Sequence, residues 1–167
     1  MPENTEEIKI VGFGGSLRKG SYNMMLLKEV QRLMPENSML DIVDITGIPF
    51  YNEDAENDKN PSIVNFKESL KYSDGFIIAT PEYNYSIPGF LKNAIDSISK
   101  PADQNPFAGK HGVIYKHSLV AGAPDGRTGK RARRLACKIC ITARADLRGT
   151  SLSDEIINGY IENIQKQ

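Results

Sequence analysis

The sequence contains 167 residues, and its 21 basic and 21 acidic side chains leave a formal net charge of zero. A neutral chain provides no overall field to attract nucleic acid or an anionic membrane, so we expect neither as a partner. No apolar stretch reaches the ~18 residues that a membrane span needs, and two cysteines cannot form the disulfide framework of small secreted domains. We therefore expect one cytoplasmic domain over residues 1–167.

Apolar runs alternate with helical patterns in the first part of the chain. A strand is predicted over residues 8–13, Ile-Lys-Ile-Val-Gly-Phe, and the two glycines that follow it indicate a turn. Apolar side chains then recur at helical spacing over residues 22–34. A second strand is predicted over residues 39–45, and a polar, acidic loop extends from there to residue 60.

The same alternation continues through the rest of the chain. Residues 61–72 carry an amphipathic stripe that begins with a proline suited to the first position of a helix. Residues 75–80 are almost continuously apolar, which is typical of a strand covered by helices on both faces of a parallel sheet. We also predict a helix over 88–100, a strand over 111–123 and a last helix over 154–165. This pattern predicts a doubly wound α/β fold.

The turn after the first strand carries several groups that bind anions. In an open α/β sheet, ligands bind beyond the carboxyl ends of the strands, where this turn lies. The dinucleotide motif would need glycine at Leu17, and the Walker motif is also absent. A phosphate monoester suits the N–H groups of a helix N-terminus together with the side chains of Ser16, Arg18, Ser21 and Asn23. The alternative is a turn that only caps a helix.

A second candidate loop follows the third predicted strand and has a proline at each end, which makes it stiff. Tyr83 and Tyr85 could form a wall for a flat ring, while backbone N–H groups of residues 82–84 and the Asn84 amide could meet its polar edge. The same composition is compatible with an ordinary surface turn. We expect Glu82 to be a solvated turn residue rather than a general base.

Together, the two loops resemble the NADPH-dependent FMN reductase family, which includes bacterial quinone, chromate and azo-dye reductases. The resemblance rests on Gly-Ser-Leu-Arg-Lys-Gly-Ser-Tyr-Asn at residues 15–23 and Pro-Glu-Tyr-Asn at residues 81–84, and it extends from about residue 8 to residue 109. It implies a flavodoxin-like, doubly wound parallel sheet of five strands in the order 2-1-3-4-5. It also implies that FMN binds with its phosphate at the first loop and its isoalloxazine at the second, on Ser16, Arg18, Ser21, Asn23, Pro81, Glu82, Tyr83 and Asn84.

The resemblance further implies an activity. NADPH or NADH would reduce FMN by hydride transfer, and a small acceptor such as a quinone, azo dye, nitroaromatic, chromate or free flavin would then be reduced in a ping-pong reaction. Because the cofactor performs the chemistry, we expect no catalytic side chain. The family also implies a homodimer or homotetramer. Two alternatives remain, a flavodoxin-like electron carrier that does not oxidise NAD(P)H and a relative without flavin; the neutral charge and Arg18 favour the reductase over the carrier.

The resemblance is weakest over residues 110–152. Family members usually carry Ser-Pro-Gly after the fourth strand, whereas this chain has Ala-Pro-Asp-Gly at residues 123–126 and lacks the hydroxyl. The segment expected to form the fifth strand, residues 139–150, is short and basic. The basic run at residues 129–134 is either a solvated helix face or a site that attracts the NADPH 2′-phosphate.

Two further patterns have weaker functional interpretations. Cys137 and Cys140 form a C-x-x-C pair, which we interpret as core thiols rather than a redox pair because no clear strand precedes it. His111 and His117 are six residues apart, a spacing that suits none of the usual helical zinc ligands. We therefore predict no metal site.

Overall fold

Strands and helices alternate along the chain in this computed structural model, which describes residues 7–54, 59–117, 159, 161, 162 and 164. The elements are β1 (Ile8–Gly14), α1 (Tyr22–Arg32), β2 (Ser38–Ile42), α2 (Pro61–Lys71), β3 (Gly75–Pro81), α3 (Gly89–Ile98), a short 3₁₀ turn (Ala102–Gln104) and β4 (His111–His117). The predicted last helix agrees with the helical conformation of Gly159, Ile161, Glu162 and Ile164.

The four described strands form one parallel sheet in the order β2-β1-β3-β4. β1 lies in the interior and pairs with β2 from Ile8 to Gly12 and with β3 from Ile10 to Gly14. The order agrees with the first four positions of the predicted 2-1-3-4-5 arrangement. Residues 139–150, the predicted fifth strand, lie outside the described residues.

Side chains that alternate along the strands supply a core on each face of the sheet. On one face Val11, Phe13 and Ile78 pack with residues of α2 and α3. On the other face Ile10 and Ile77 pack with residues of α1 and with Ile161. Helices therefore cover both faces, as the doubly wound prediction requires. Within the described residues no helix is long and apolar enough to cross a membrane.

The second strand is shorter than the sequence predicts. β2 ends at Ile42, although Val43 and Ile45 are buried and continue the apolar alternation. The Val43 N–H still donates to the Gly12 carbonyl at 2.8 Å, and beyond it the Asp44 carboxylate accepts from the Thr46 N–H at 2.9 Å. The chain thus turns away from the sheet while its apolar side chains remain in the core.

Candidate functional site

The two candidate loops leave adjacent strands at the same edge of the sheet. Gly14, the last residue of β1, pairs with Ala79 of β3, and the Gly15 N–H donates to the Ala79 carbonyl at 2.8 Å. A Cβ added to Gly15 would lie 2.1 Å from Thr80 Oγ1 and 2.8 Å from Leu91 Cδ2. The lack of a side chain at Gly15 therefore allows the first loop to lie directly against the strand that leads into the second.

Two hydroxyls of the first loop accept hydrogen bonds from the backbone. Ser21 is the N-cap of α1, and its Oγ accepts from the Met24 N–H at 3.4 Å. Ser16 Oγ accepts from the Arg18 N–H at 3.4 Å. A hydroxyl has one proton to donate in addition to its lone pairs, so each serine keeps an O–H that an anion can accept.

Backbone N–H groups of the same loop are open to a ligand. Within residues 7–54 and 59–117, the N–H groups of Leu17, Lys19 and Gly20 donate no hydrogen bond. They precede the N-terminus of α1, whose dipole favours a negative charge. This combination of N–H groups and a helix N-terminus fits a phosphate group.

The Arg18 side chain folds back on its own loop. Its Nη2 donates to the Gly20 carbonyl at 2.5 Å, and its Cζ lies 4.7 Å from the centroid of the Tyr22 ring. A guanidinium has five N–H donors, so these two contacts fix its position and leave donors for an anion. Arg18 is exposed, as a residue at the rim of an anion site would be.

Asn23 contributes a buried polar group at the start of α1. The residue is 5% exposed, and among the described residues no donor reaches its Oδ1. Leaving a buried polar atom without a partner costs about 1–3 kcal/mol, so such atoms are often completed by a ligand. The two ends of the amide have the same shape, and a rotated Asn23 would present Nδ2, which can donate to a phosphate oxygen.

The second loop is a tight hairpin turn. Tyr83 and Ser86 exchange two backbone hydrogen bonds, both of 2.9 Å, and the two residues between them, Asn84 and Tyr85, have φ values of 49° and 63°. Positive φ at both central positions is the geometry of a type I′ turn. Tyr83 and Tyr85 are 56% and 60% exposed, so neither ring is buried in the core.

The structure thus brings the predicted site residues to one edge of the sheet. Four lie in or directly after the loop that follows β1, and four lie at or directly after the end of β3. Pro81 ends β3, and Tyr83 and Asn84 are exposed on the hairpin. Glu82 is half-buried and both of its carboxylate oxygens are shielded from solvent, so the expectation of a solvated turn residue is wrong. The predicted segments at residues 123–126 and 129–134, and the cysteine pair at 137 and 140, lie outside the described residues.

A third loop at this edge carries no functional signal in the sequence. The Asn93 side chain of α3 holds the loop after β2 with both ends of its amide: Oδ1 accepts from the Tyr51 N–H at 2.8 Å, and Nδ2 donates to the Pro49 carbonyl at 2.9 Å. Between these two residues Phe50 is 86% exposed. A half-buried asparagine within an apolar helix was the available signal, but nothing in the sequence identifies its partners.

Comparison with known proteins agrees with this geometry. A model of NADPH-dependent FMN reductases matches residues 8–145. An NAD(P)H-dependent FMN reductase of Pseudomonas aeruginosa is 44% identical over 126 residues, which cover 75% of this chain and 64% of the relative. A quinone reductase of Escherichia coli is 40% identical over 124 residues, covering 71% of this chain and 65% of the relative. The alignments thus span slightly less than two thirds of these relatives.

A solved structure extends the comparison to the fold. FerB, a flavoenzyme NAD(P)H:(acceptor) oxidoreductase from Paracoccus denitrificans, superposes with a TM-score of 0.76 at 25% identity. The superposition covers 95% of this chain and 98% of that one. The flavodoxin-like fold class predicted from the sequence is confirmed.

Proposed function

The chain belongs to the NADPH-dependent FMN reductase family, and we propose that it is an FMN-dependent oxidoreductase that uses NADPH or NADH to reduce quinones or similar small acceptors. The observation that carries this proposal is the contact at Gly15, which joins a phosphate-type loop to the hairpin after β3. When bound, FMN supplies a redox centre that accepts hydride from NAD(P)H and passes electrons to the acceptor.

The first loop would hold the FMN phosphate. Ser16 and Ser21 would donate their hydroxyl protons, and Arg18 would supply the positive charge. Asn23 would donate through Nδ2, which would relieve the unpartnered Oδ1 of its present orientation. Hydrogen bonds to charged groups are stronger than neutral ones, so Arg18 should contribute most of the affinity for a dianion.

The second loop would orient the flavin ring. The hairpin from Tyr83 to Ser86 fixes the backbone. The Tyr83 N–H, which the sequence predicts at the ring, donates instead to the Ser86 carbonyl, so the Asn84 N–H and side-chain amide are the hairpin groups that would meet the polar edge of the ring. Pro81 and Glu82 lie where β3 enters the loop and would border the ring. These residues bind and orient, and none is assigned a proton-transfer step.

The acceptor class follows from the relatives, which are named as FMN reductases and quinone reductases. A ping-pong reaction is proposed because nicotinamide and acceptor would use the same open site in turn. We also propose a cytoplasmic location and a homodimer or homotetramer, both of which rest on the resemblance to the family.

The test is to add FMN to the purified chain, remove the excess by gel filtration, and measure visible absorbance and NADPH oxidation with benzoquinone. Retained FMN and quinone-dependent oxidation are expected. A colourless protein would contradict the proposal, and a yellow protein inert to NADPH and NADH would support an electron carrier.

The Arg18→Ala variant should bind FMN roughly 10- to 100-fold more weakly, since a hydrogen bond to a charged group contributes ~1.5–3 kcal/mol. Arg32→Ala is the matched control, because Arg32 lies in the last turn of α1, at the opposite end from the loop that holds Arg18, and pairs with Glu29 at 2.6 Å. Its dissociation constant for FMN, measured by fluorescence quenching, should equal that of the parent. Equal affinities for all three proteins would remove Arg18 from the site.

A further inference from the structure

Phe50 is exposed while the backbone on both sides of it is fixed. It is 86% exposed, more than any other large hydrophobic residue described. The Asn93 amide holds Pro49 on one side and Tyr51 on the other, with hydrogen bonds of 2.9 and 2.8 Å. These hydrogen bonds hold the backbone on both sides of Phe50 in one conformation, so its ring stays exposed to solvent in a fixed position.

The same contacts hold the backbone around Phe50 against α3, the helix that follows the second proposed flavin loop. Asn93 lies in the second turn of α3, which begins at Gly89 directly after the hairpin loop. Ile48, two residues before Phe50, packs against the same core cluster as Ile87, which lies between the hairpin and α3. The loop after β2 therefore crosses the sheet edge to the element that follows Tyr83 and Tyr85.

We propose that Phe50 is an aromatic platform for the electron acceptor and that Asn93 is the positioning residue that fixes it, so that the enzyme favours planar ring acceptors over compact inorganic ions. This inference rests on the proposed reductase function. The platform is preorganised because Asn93 restricts the backbone before any ligand binds. A flat ring gains a stacking contact from Phe50, whereas a compact ion gains none.

The kinetic test compares benzoquinone with ferricyanide in the FMN-loaded enzyme. Phe50→Ala should lower the ratio of kcat/KM for benzoquinone to kcat/KM for ferricyanide about 3- to 10-fold, as expected for one lost stacking contact. Its dissociation constant for FMN should stay within twofold of the parent. Tyr72→Ala is the matched control, because Tyr72 is 70% exposed at the C-terminal end of α2. It should leave the ratio unchanged.

A second readout tests the role of Asn93 without turnover. In Asn93→Ala the Tyr51 N–H loses its acceptor, so amide hydrogen exchange at residues 50–52 should accelerate at least tenfold. Phe50→Ala should leave this exchange at the parent rate. The Asn93→Ala variant should also show the reduced acceptor ratio, and Asn93→Asp, which keeps the Oδ1 acceptor, should fall between it and the parent.

A third readout separates this inference from the proposed function. Anthraquinone-2-sulfonate, a flat ligand added without NADPH, should bind the parent in saturation-transfer NMR, and Phe50→Ala should weaken it by the same 3- to 10-fold. Weaker binding of anthraquinone-2-sulfonate by Phe50→Ala than by the parent supports the platform even if neither protein oxidises NADPH. The platform proposal would be overturned if Phe50→Ala bound anthraquinone-2-sulfonate as tightly as the parent or left the acceptor ratio unchanged. It would also be overturned if the only effect of Phe50→Ala were a changed oligomeric state in gel filtration.

Discussion

Gly15 sets the distance between the two loops of the site. A Cβ added at Gly15 would lie 2.1 Å from Thr80 Oγ1 and 2.8 Å from Leu91 Cδ2. Rotation of the Leu91 side chain alone would leave the clash with Thr80. Gly15→Ala should therefore push the loops apart and lower the free energy of unfolding by about 1–3 kcal/mol, the usual cost of overpacking. Urea unfolding of the FMN-free protein measures this. Gly89→Ala is the control, since nothing lies within 4 Å of its added Cβ; an equal loss in both variants would contradict the prediction.

Tyr85 has a backbone conformation that its side chain disfavours. Its φ is 63°, and the left-handed region costs a residue with a Cβ roughly 1–2 kcal/mol, whereas glycine adopts it freely. Since the ring is 60% exposed, its removal costs little burial. We expect the free energy of unfolding of Tyr85→Gly, measured by urea titration, to exceed that of Tyr85→Ala by about 1 kcal/mol. If the two variants have equal stability, the turn carries no strain at this position.

At the scale of elements, Lys110 joins the start of β4 to the end of α2. Its Nζ donates to the Lys71 carbonyl at 3.3 Å and to the Ser73 carbonyl, both at the C-terminal end of the helix. Burial lowers the pKa of the Lys110 ammonium below its usual 10.5, and the Asp74 carboxylate opposes part of the shift. Lys110→Met should lower the free energy of unfolding by ~1 kcal/mol at pH 7, from the lost hydrogen bonds. Lys28→Met, on the exposed side of α1, is the control.

The lowered pKa also predicts a pH dependence. Between the lowered pKa and 10.5 the unfolded chain binds more protons at this lysine than the folded one, so the stability difference between parent and Lys110→Met should grow as pH rises through that range. Comparison with the variant cancels the opposite contribution of Tyr115, whose pKa is raised by burial. Urea titrations at pH 8, 9 and 10 test the sign. A difference that shrinks with pH would contradict it.

At the scale of the whole molecule, four aromatic rings connect elements that are distant in sequence. Phe13 of β1 lies 4.8 Å from Phe66 of α2 and 6.5 Å from Phe76 of β3, and Phe107 lies 5.1 Å from Phe76. Phe66→Ala should cost about 3–5 kcal/mol of unfolding free energy, because it leaves a cavity in this cluster. Val64→Ala, on the partly exposed side of the same helix, should cost less than ~1 kcal/mol. Comparable losses would show that the cluster is not the central core.

The order and type of these elements could be predicted from periodicity. A proline at the start and an apolar stripe both predict a helix over residues 61–72, and α2 is observed over Pro61–Lys71. The second strand was predicted too long. Its buried residues Val43 and Ile45 keep the apolar alternation after the backbone has left the sheet, and periodicity reports burial rather than hydrogen bonding.

The two loops could also be located from the sequence, but their geometry could not. A type I′ turn is expected at Asn-Gly, and the pair here is Asn84-Tyr85, so tertiary contacts override the local preference. The link from Asn93 to Pro49 and Tyr51 joins a side chain to backbone groups far away in the sequence, and no local pattern contains such information. The assignment of individual residues to FMN remains a prediction.

The pairing of β1 with β3 has a kinetic consequence. The strands align Gly14 with Ala79, so the phosphate loop and the hairpin meet only after a long crossover connection has closed. Such non-local contacts form late and slowly in folding. A ligand that needs both loops cannot assist the early steps, so FMN should leave the refolding rate unchanged and slow unfolding in stopped-flow experiments. The site would then protect a chain that has already folded, and cofactor supply would govern the lifetime of the protein rather than its yield.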